Sequence, residues 1–145
     1  MHNTEQFHFH HETPVQIRFN DIDIMAHVNN SVYQNYFDLA RTQYFEKVFE
    51  HKINWHEKAL VLAKITIKYK NPIFIDESIV VTSKVFKIGN KSLTMVQQIM
   101  NPQTKEVKAK NEAVLVAFAF QKNKTIQIPD NWKSNIIGFE KDIDF

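Results

Sequence analysis

The sequence predicts an α+β fold in which an antiparallel sheet curls around one central helix. Three observations carry this. An apolar stripe of helical period runs through residues 31–49, four strand-like segments follow it, and a shorter one precedes it.

The first strand is expected at residues 15–19, "VQIRF", where apolar and polar residues alternate after Pro14. A polar loop over 20–30 follows. From Ser31 the period changes: Tyr33, Tyr36, Phe37, Ala40, Tyr44 and Val48 fall at i, i+3, i+4, i+7, i+11 and i+15. Val32, Leu39, Phe45 and Phe49 widen the stripe on both sides. A helix apolar over so much of its circumference needs something wrapped around it.

The wrapping is supplied by strands. In "VLAKITIKY" (61–69), Val61, Ala63, Ile65, Ile67 and Tyr69 alternate with Leu62, Lys64, Thr66 and Lys68, the pattern of one buried face. Asn71-Pro72 ends it. "ESIVVTSKVFKI" (77–88) and "KSLTMVQQIM" (91–100) flank Gly89-Asn90, a hairpin signal. A turn at Asn101-Pro102 leads to a long strand over 106–120, and a short helical turn is expected at 130–134, after Pro129.

Bulk properties exclude several functions. The 145 residues suit one domain, 1–145, with 1–13 expected as a loosely packed N-terminal segment. A net charge of +2 suggests no nucleic-acid partner. With no cysteine there is no disulfide, thiolate nucleophile or Cys-ligated metal, which suits a reducing compartment. The glycines, Gly89 and Gly138, cannot build a phosphate loop or a GxGxxG fingerprint. No run of ~20 apolar residues predicts a membrane span. The opening "MHNTEQFHFHHETP" lacks the pattern of a signal peptide, so the expected compartment is the cytoplasm.

The stretch "DIDIMAHVNN" (21–30) holds more short polar groups than a helix start needs. Asn29, Asn30 or Ser31 can each cap the helix, and Ser31 with Gln34 fits a capping box. The free N–H groups at a helix start also favour an oxyanion, so a carboxylate just upstream, Asp23, together with the helix end makes half of an acyl-transfer site.

The stretch "RFNDIDIMAHVNNSVYQNYFDLAR", Arg18 to Arg41, resembles the hotdog-fold acyl-CoA thioesterases of the 4-hydroxybenzoyl-CoA thioesterase type, whose motif runs R-x-x-D-x-D-x-x-G-H-V-N-N-x-x-Y. "ITIKYKNPIFIDESI", "KIGNKSLTMVQQIMN" and "KAKNEAVLVAFAFQKNKTIQIPDNW" resemble the family's later strands and tail, so the likeness covers nearly the whole chain. The resemblance implies a hotdog fold, an antiparallel five- to six-stranded sheet around one long helix. It implies hydrolysis of an acyl-CoA or acyl-carrier-protein thioester, no cofactor, and a homodimer or homotetramer. By position, Asp23 matches the catalytic nucleophile or general base, and the backbone N–H of Asn30 the group that polarises the carbonyl. His27 and Asn29 match substrate-binding positions. Asp21 matches a structural acid, to be paired with Arg18 or Arg41. Lys91, in the hairpin turn, is the cation expected to meet the carrier's phosphates.

Two departures from the motif bear on loop geometry. Its glycine is Ala26 here, which argues against a glycine-only backbone at that point. Ile75-Asp76 stands where the family often has Gly before Asp.

Three rival readings compete. His8 and His10 of "HFHHE", which also holds His11, share a face of an extended segment, but no carboxylate is assigned to join them, so no metal is expected. A non-catalytic acyl-thioester-binding module would not require Asp23. The dehydratase branch of the fold needs Gly and Pro after His-Phe, which "HFHH" lacks.

Overall fold

Helix α1 (Tyr33–Val48) is the axis of the molecule, and a single antiparallel sheet is folded over it. The structure is a computed structural model that describes residues 1–2 and 6–143. The strands are β1 (His11–Val15), β2 (Lys58–Tyr69), β3 (Ile79–Ile88), β4 (Ser92–Met100), β5 (Val107–Ala119) and β6 (Lys124–Thr125). They lie in the order β1-β3-β4-β5-β2, with β6 paired to the end of β5. A second helix, α2 (Asp130–Glu140), packs against α1 and β3.

The expected stripe buries α1 in two apolar clusters along its length. Tyr33, Tyr36, Phe37 and Ala40 meet Val28, Ile73, Ile79, Val81, Ile99 and Ala109. A turn further on, Tyr44, Phe45 and Val48 meet Val85, Met95, Leu115, Trp132 and Ile136. Each large side chain so enclosed contributes about 1.5–3 kcal/mol. Leu39, assigned to the stripe, is exposed instead.

Several elements differ from the sequence expectation. The first strand lies at 11–15, not 15–19, so residues 11–13 are paired with β3 rather than loose, and Thr13 is fully buried. Pro14 is tolerated because β1 is an edge strand, where a missing N–H breaks no ladder.

In β2 the expected alternation fails midway. The register with β5 slips between Leu62 and Lys64, so Ala63 is an extra residue and the face changes parity there. Leu60 and Leu62 turn to the core before it and Ile65 and Ile67 after it, while Val61 is exposed.

The helical turn expected at 130–134 runs on to Glu140, because Trp132, Ile136 and Glu140 share one buried face at four-residue spacing. At the hairpin, Gly89 does not use a left-handed backbone, and Ile75 and Asp76 need no glycine conformation either.

Among the described residues, no helix is long and apolar enough to cross a membrane.

Candidate active site

The loop between β1 and α1 is held by Asp21, whose carboxylate is buried. Oδ2 accepts the Arg18 N–H at 2.9 Å and the Tyr36 hydroxyl at 2.6 Å. Oδ1 accepts Arg18 Nη2 at 3.0 Å and Nε at 3.3 Å. Burial by itself would raise the Asp21 pKa, but the hydrogen bonds from Tyr36 and Arg18 outweigh it and hold it below the usual carboxylate range. The same burial, with the adjacent Asp21, pushes the Tyr36 phenol up, so it remains a donor. Asp21 is therefore the structural acid expected. Its partner is Arg18, since Arg41 bonds Asp38 at 2.6 Å.

Beyond Asp21 the chain pinches into a small hairpin. Ile22 bridges Val28, the Asp23 N–H donates to His27 O at 3.1 Å, and Asn29 N–H donates to Asp21 O at 2.9 Å. The tip closes through Ala26 N–H to Asp23 O at 3.0 Å, with Ala26 at φ 68°. The departure from the motif's glycine thus leaves the left-handed turn in place. The loop keeps it at a cost of about 1–2 kcal/mol for a residue with a Cβ.

Asp23 is half-buried at the start of this tip, with Oδ1 accepting the Met25 N–H at 2.9 Å. Its second oxygen has no hydrogen-bond partner among the described residues. Ile24 and Met25 beside it are exposed apolar side chains, and the His27 ring lies edge-on to Phe74 at 6.4 Å.

The helix start is built differently from the expected capping box. Asn29, not Ser31, is the cap: its Oδ1 accepts the Ser31 N–H at 2.9 Å and the Ser31 hydroxyl at 2.8 Å. A 3-10 turn over Asn30–Val32 then leads into α1. The Asn30 carbonyl accepts the Tyr69 hydroxyl at 3.2 Å. Its N–H, at the first position of the turn, has no acceptor among the described residues.

Asn30 and His27 line one cavity of about 180 Å3, with Tyr33, Tyr69, Lys70 and Asn71-Pro72. Burial, then the neighbouring Tyr69 and Glu77, push the Tyr33 phenol up to about 12, so Tyr33 is neutral there.

The expected site residues are thus only partly assembled within one chain. His27 and the Asn30 N–H share a cavity. Asp23 is tied to His27 through the backbone, but its carboxylate is not on the cavity wall. Asn29, expected to bind substrate, spends its side-chain oxygen on the cap. Lys91 is at the other end of the sheet. Its carbonyl accepts the Ala117 N–H in the row of Leu60, whereas Tyr69 of the cavity is paired with Ala109. Eight residues of β5, from Ala117 to Ala109, separate those rows, about 26 Å at 3.3 Å per residue. Nothing in the sequence marks Tyr69 and Lys70 as site residues; they reach the helix start only through the pairing of β2, some forty residues downstream.

The family model described as the thioesterase-like superfamily matches residues 17–136. The chain belongs to that superfamily. The resemblance read from Arg18–Arg41, to hotdog-fold acyl-CoA thioesterases, is borne out, and the thioesterase fold with it. The chain is 28% identical over 91 residues to the long-chain acyl-CoA thioesterase FadM of Escherichia coli, covering 61% of this chain and 67% of that one. It is 25% identical over 136 residues to the chloroplastic acyl-acyl carrier protein thioesterase ATL3 of Arabidopsis thaliana, covering 89% and 68%. A thioesterase of Thermus thermophilus, solved in complex with coenzyme A and Zn, superposes with a TM-score of 0.80 at 27% identity, over 92% of this chain and 96% of that one.

Proposed function

We propose that this thioesterase hydrolyses an acyl thioester of coenzyme A or of an acyl carrier protein, with Asp23 acting on a carbonyl polarised by the N–H of Asn30. The observation that carries this is the Asn30 N–H, unpaired among the described residues at a helix start and on a cavity wall. An N–H there, backed by the positive end of α1, favours the oxyanion that forms when a thioester carbonyl is attacked.

Asp23 has two routes. Its free oxygen attacks the carbonyl carbon, the thiol leaves, and water cleaves the resulting anhydride. Alternatively the carboxylate takes a proton from water as that water attacks, and the tetrahedral adduct expels the thiolate, which is then protonated. Both end in free acid and thiol.

His27 lines the cavity and is assigned to substrate. Asn29 is assigned to positioning, because its cap holds the turn that presents the Asn30 N–H. Lys91 is reserved for phosphates reached across a second subunit, and Lys70 is the cation beside Asn30 within the chain. The acyl carrier follows the two relatives, whose names point to coenzyme A and to an acyl carrier protein.

A homodimer or homotetramer is supported by β2, a strand of 12 residues at the sheet edge with no outer partner among the described residues. A second chain there would also explain why Asp23, with Ile24 and Met25 exposed beside it, is left open in one protomer. The lack of cysteine suits work in the cytoplasm.

The test is thiol release from short, long and aromatic acyl-CoAs and from an acyl carrier protein loaded with a long chain. The chain has no cysteine of its own, so a thiol-reactive dye reports product alone in the acyl-CoA assays. Turnover on at least one substrate is expected. Saturable binding without any turnover would instead make the chain a binding module.

A further inference from the structure

The histidine run His8-Phe9-His10-His11 plays no part in the thioester chemistry. In the fold it leads into β1 and passes beside the C-terminal end of α2. There, one ligand atom each from His10, Glu140 and Asp142 lie within 4.8 Å of one another. The His8 ring sits edge-on to His10, with centroids 4.7 Å apart. Alternate residues of an extended segment point the same way, so two imidazoles present themselves together. The carboxylates that the sequence left unassigned come from the far end of the chain.

We propose that His10, Glu140 and Asp142, joined by His8 from beside the His10 ring as the fourth ligand, form a site for a divalent transition-metal ion of the zinc type. Two imidazoles and two carboxylates suit Zn2+, whereas Mg2+ and Ca2+ prefer oxygen ligands alone. Glu140 is the fixed wall of the site. Its Oε2 accepts the Tyr44 hydroxyl at 2.5 Å and the Val85 N–H at 3.3 Å, and its Oε1 accepts Lys84 Nζ at 3.2 Å. Asp142 is the movable member, with its side chain 55% exposed.

Lys84 is the competitor. Its Nζ lies 3.2 Å from Glu140 Oε1 and 2.6 Å from Asp142 Oδ1. One ammonium neutralises only one of the two carboxylates, so the cluster keeps a net negative charge that a divalent ion can answer. Repulsion between that ion and the ammonium makes the site weaker than a dedicated structural zinc centre. An ion held there ties the segment before β1 to the segment after α2. It stabilises the folded chain by mass action, because the unfolded chain does not hold these four groups together.

The experiment uses untagged, chelator-treated protein, with ZnCl2 followed by titration calorimetry and thermal melting, and MgCl2 as the control ion. One Zn2+ per chain is expected, with a melting point that rises on saturation and does not respond to Mg2+. His10→Ala and Asp142→Asn, both at exposed positions, should each weaken binding by roughly tenfold or more. His56→Ala, an exposed histidine outside the cluster, should bind as the wild type does. Metal-free melts of each variant show that it folds. The proposal is overturned if the wild type has no saturable Zn2+ site, or if His10→Ala and Asp142→Asn bind as tightly as the wild type. Neither readout depends on thioester hydrolysis, so the two readings stand or fall separately.

Discussion

Asn30→Pro should lower thioester turnover by about 10²–10³-fold, the loss seen when a single oxyanion donor is removed, while Asn30→Ala keeps most of it. Proline deletes the backbone N–H that the proposed mechanism uses; alanine deletes only the side chain. The local backbone is prepared for proline. Asn30 is the first residue of the turn entering α1, where a proline ring costs little. The preceding Asn29 has φ −63° and ψ 136°, the extended conformation that a residue before proline needs. The cap from Asn29 to Ser31 and the Tyr69 hydrogen bond to the Asn30 carbonyl do not involve the deleted hydrogen. Equal turnover in the two variants, both folded, would remove the Asn30 N–H from the mechanism.

Glu140→Ala should cost about 3–5 kcal/mol of folding stability, the usual penalty for leaving half of a buried ion pair alone. Glu140 and Lys84 have no exposed side-chain surface, and Glu140 also holds the Tyr44 hydroxyl and the Val85 N–H. Burial, then the charge of Glu140, push the Tyr44 phenol well up, so it stays a donor that needs this acceptor. Truncation leaves the Tyr44 hydroxyl without its acceptor, the Val85 N–H with only the longer contact to the Tyr44 hydroxyl oxygen at 3.4 Å, and Lys84 with only Asp142, at the surface. The measurement is urea unfolding in chelator-containing buffer, with Glu140→Gln as a milder companion. Replacing both charges, as Lys84→Met with Glu140→Leu, should recover much of the loss. A cost under about 1 kcal/mol for Glu140→Ala would show that the pair is not what anchors α2.

This ion pair also shows why α2 was only partly legible. A glutamate eight residues after Trp132 reads as the end of an amphipathic face, and nothing local announces Lys84 as its partner. Helix α1 was legible because its one long buried face leaves a 3.6-residue period that survives noise. The β2 bulge was not, because Ala63 is an unremarkable residue and its extra place is set by β5. The first strand is displaced from its expected place for a different reason. Pro14 argues against a strand in general, and only the sheet order shows that β1 is an edge where proline does no harm.

In the site, the density of polar groups over 21–30 was readable, as was the structural role of Asp21. Their distribution was not. Asn29 rather than Ser31 became the cap, and Ala26 took a left-handed turn that its side chain disfavours. Tyr69 and Lys70 joined the cavity through strand pairing, which leaves no trace in the loop itself. Lys91, legible as a turn cation, was assigned to phosphates without any signal of which end of the sheet it would occupy.

Asp23 is the reacting group of the proposed mechanism, so the most direct measurement is kcat on a good acyl-CoA substrate for wild type and Asp23→Asn. Affinity for a non-hydrolysable thioether analogue is measured on the same samples. The expected result is a fall in kcat of about 10²-fold or more with affinity within about twofold, the signature of a group that acts on the transition state and not on binding. An unchanged kcat in Asp23→Asn, on a substrate that the wild type turns over, would contradict it.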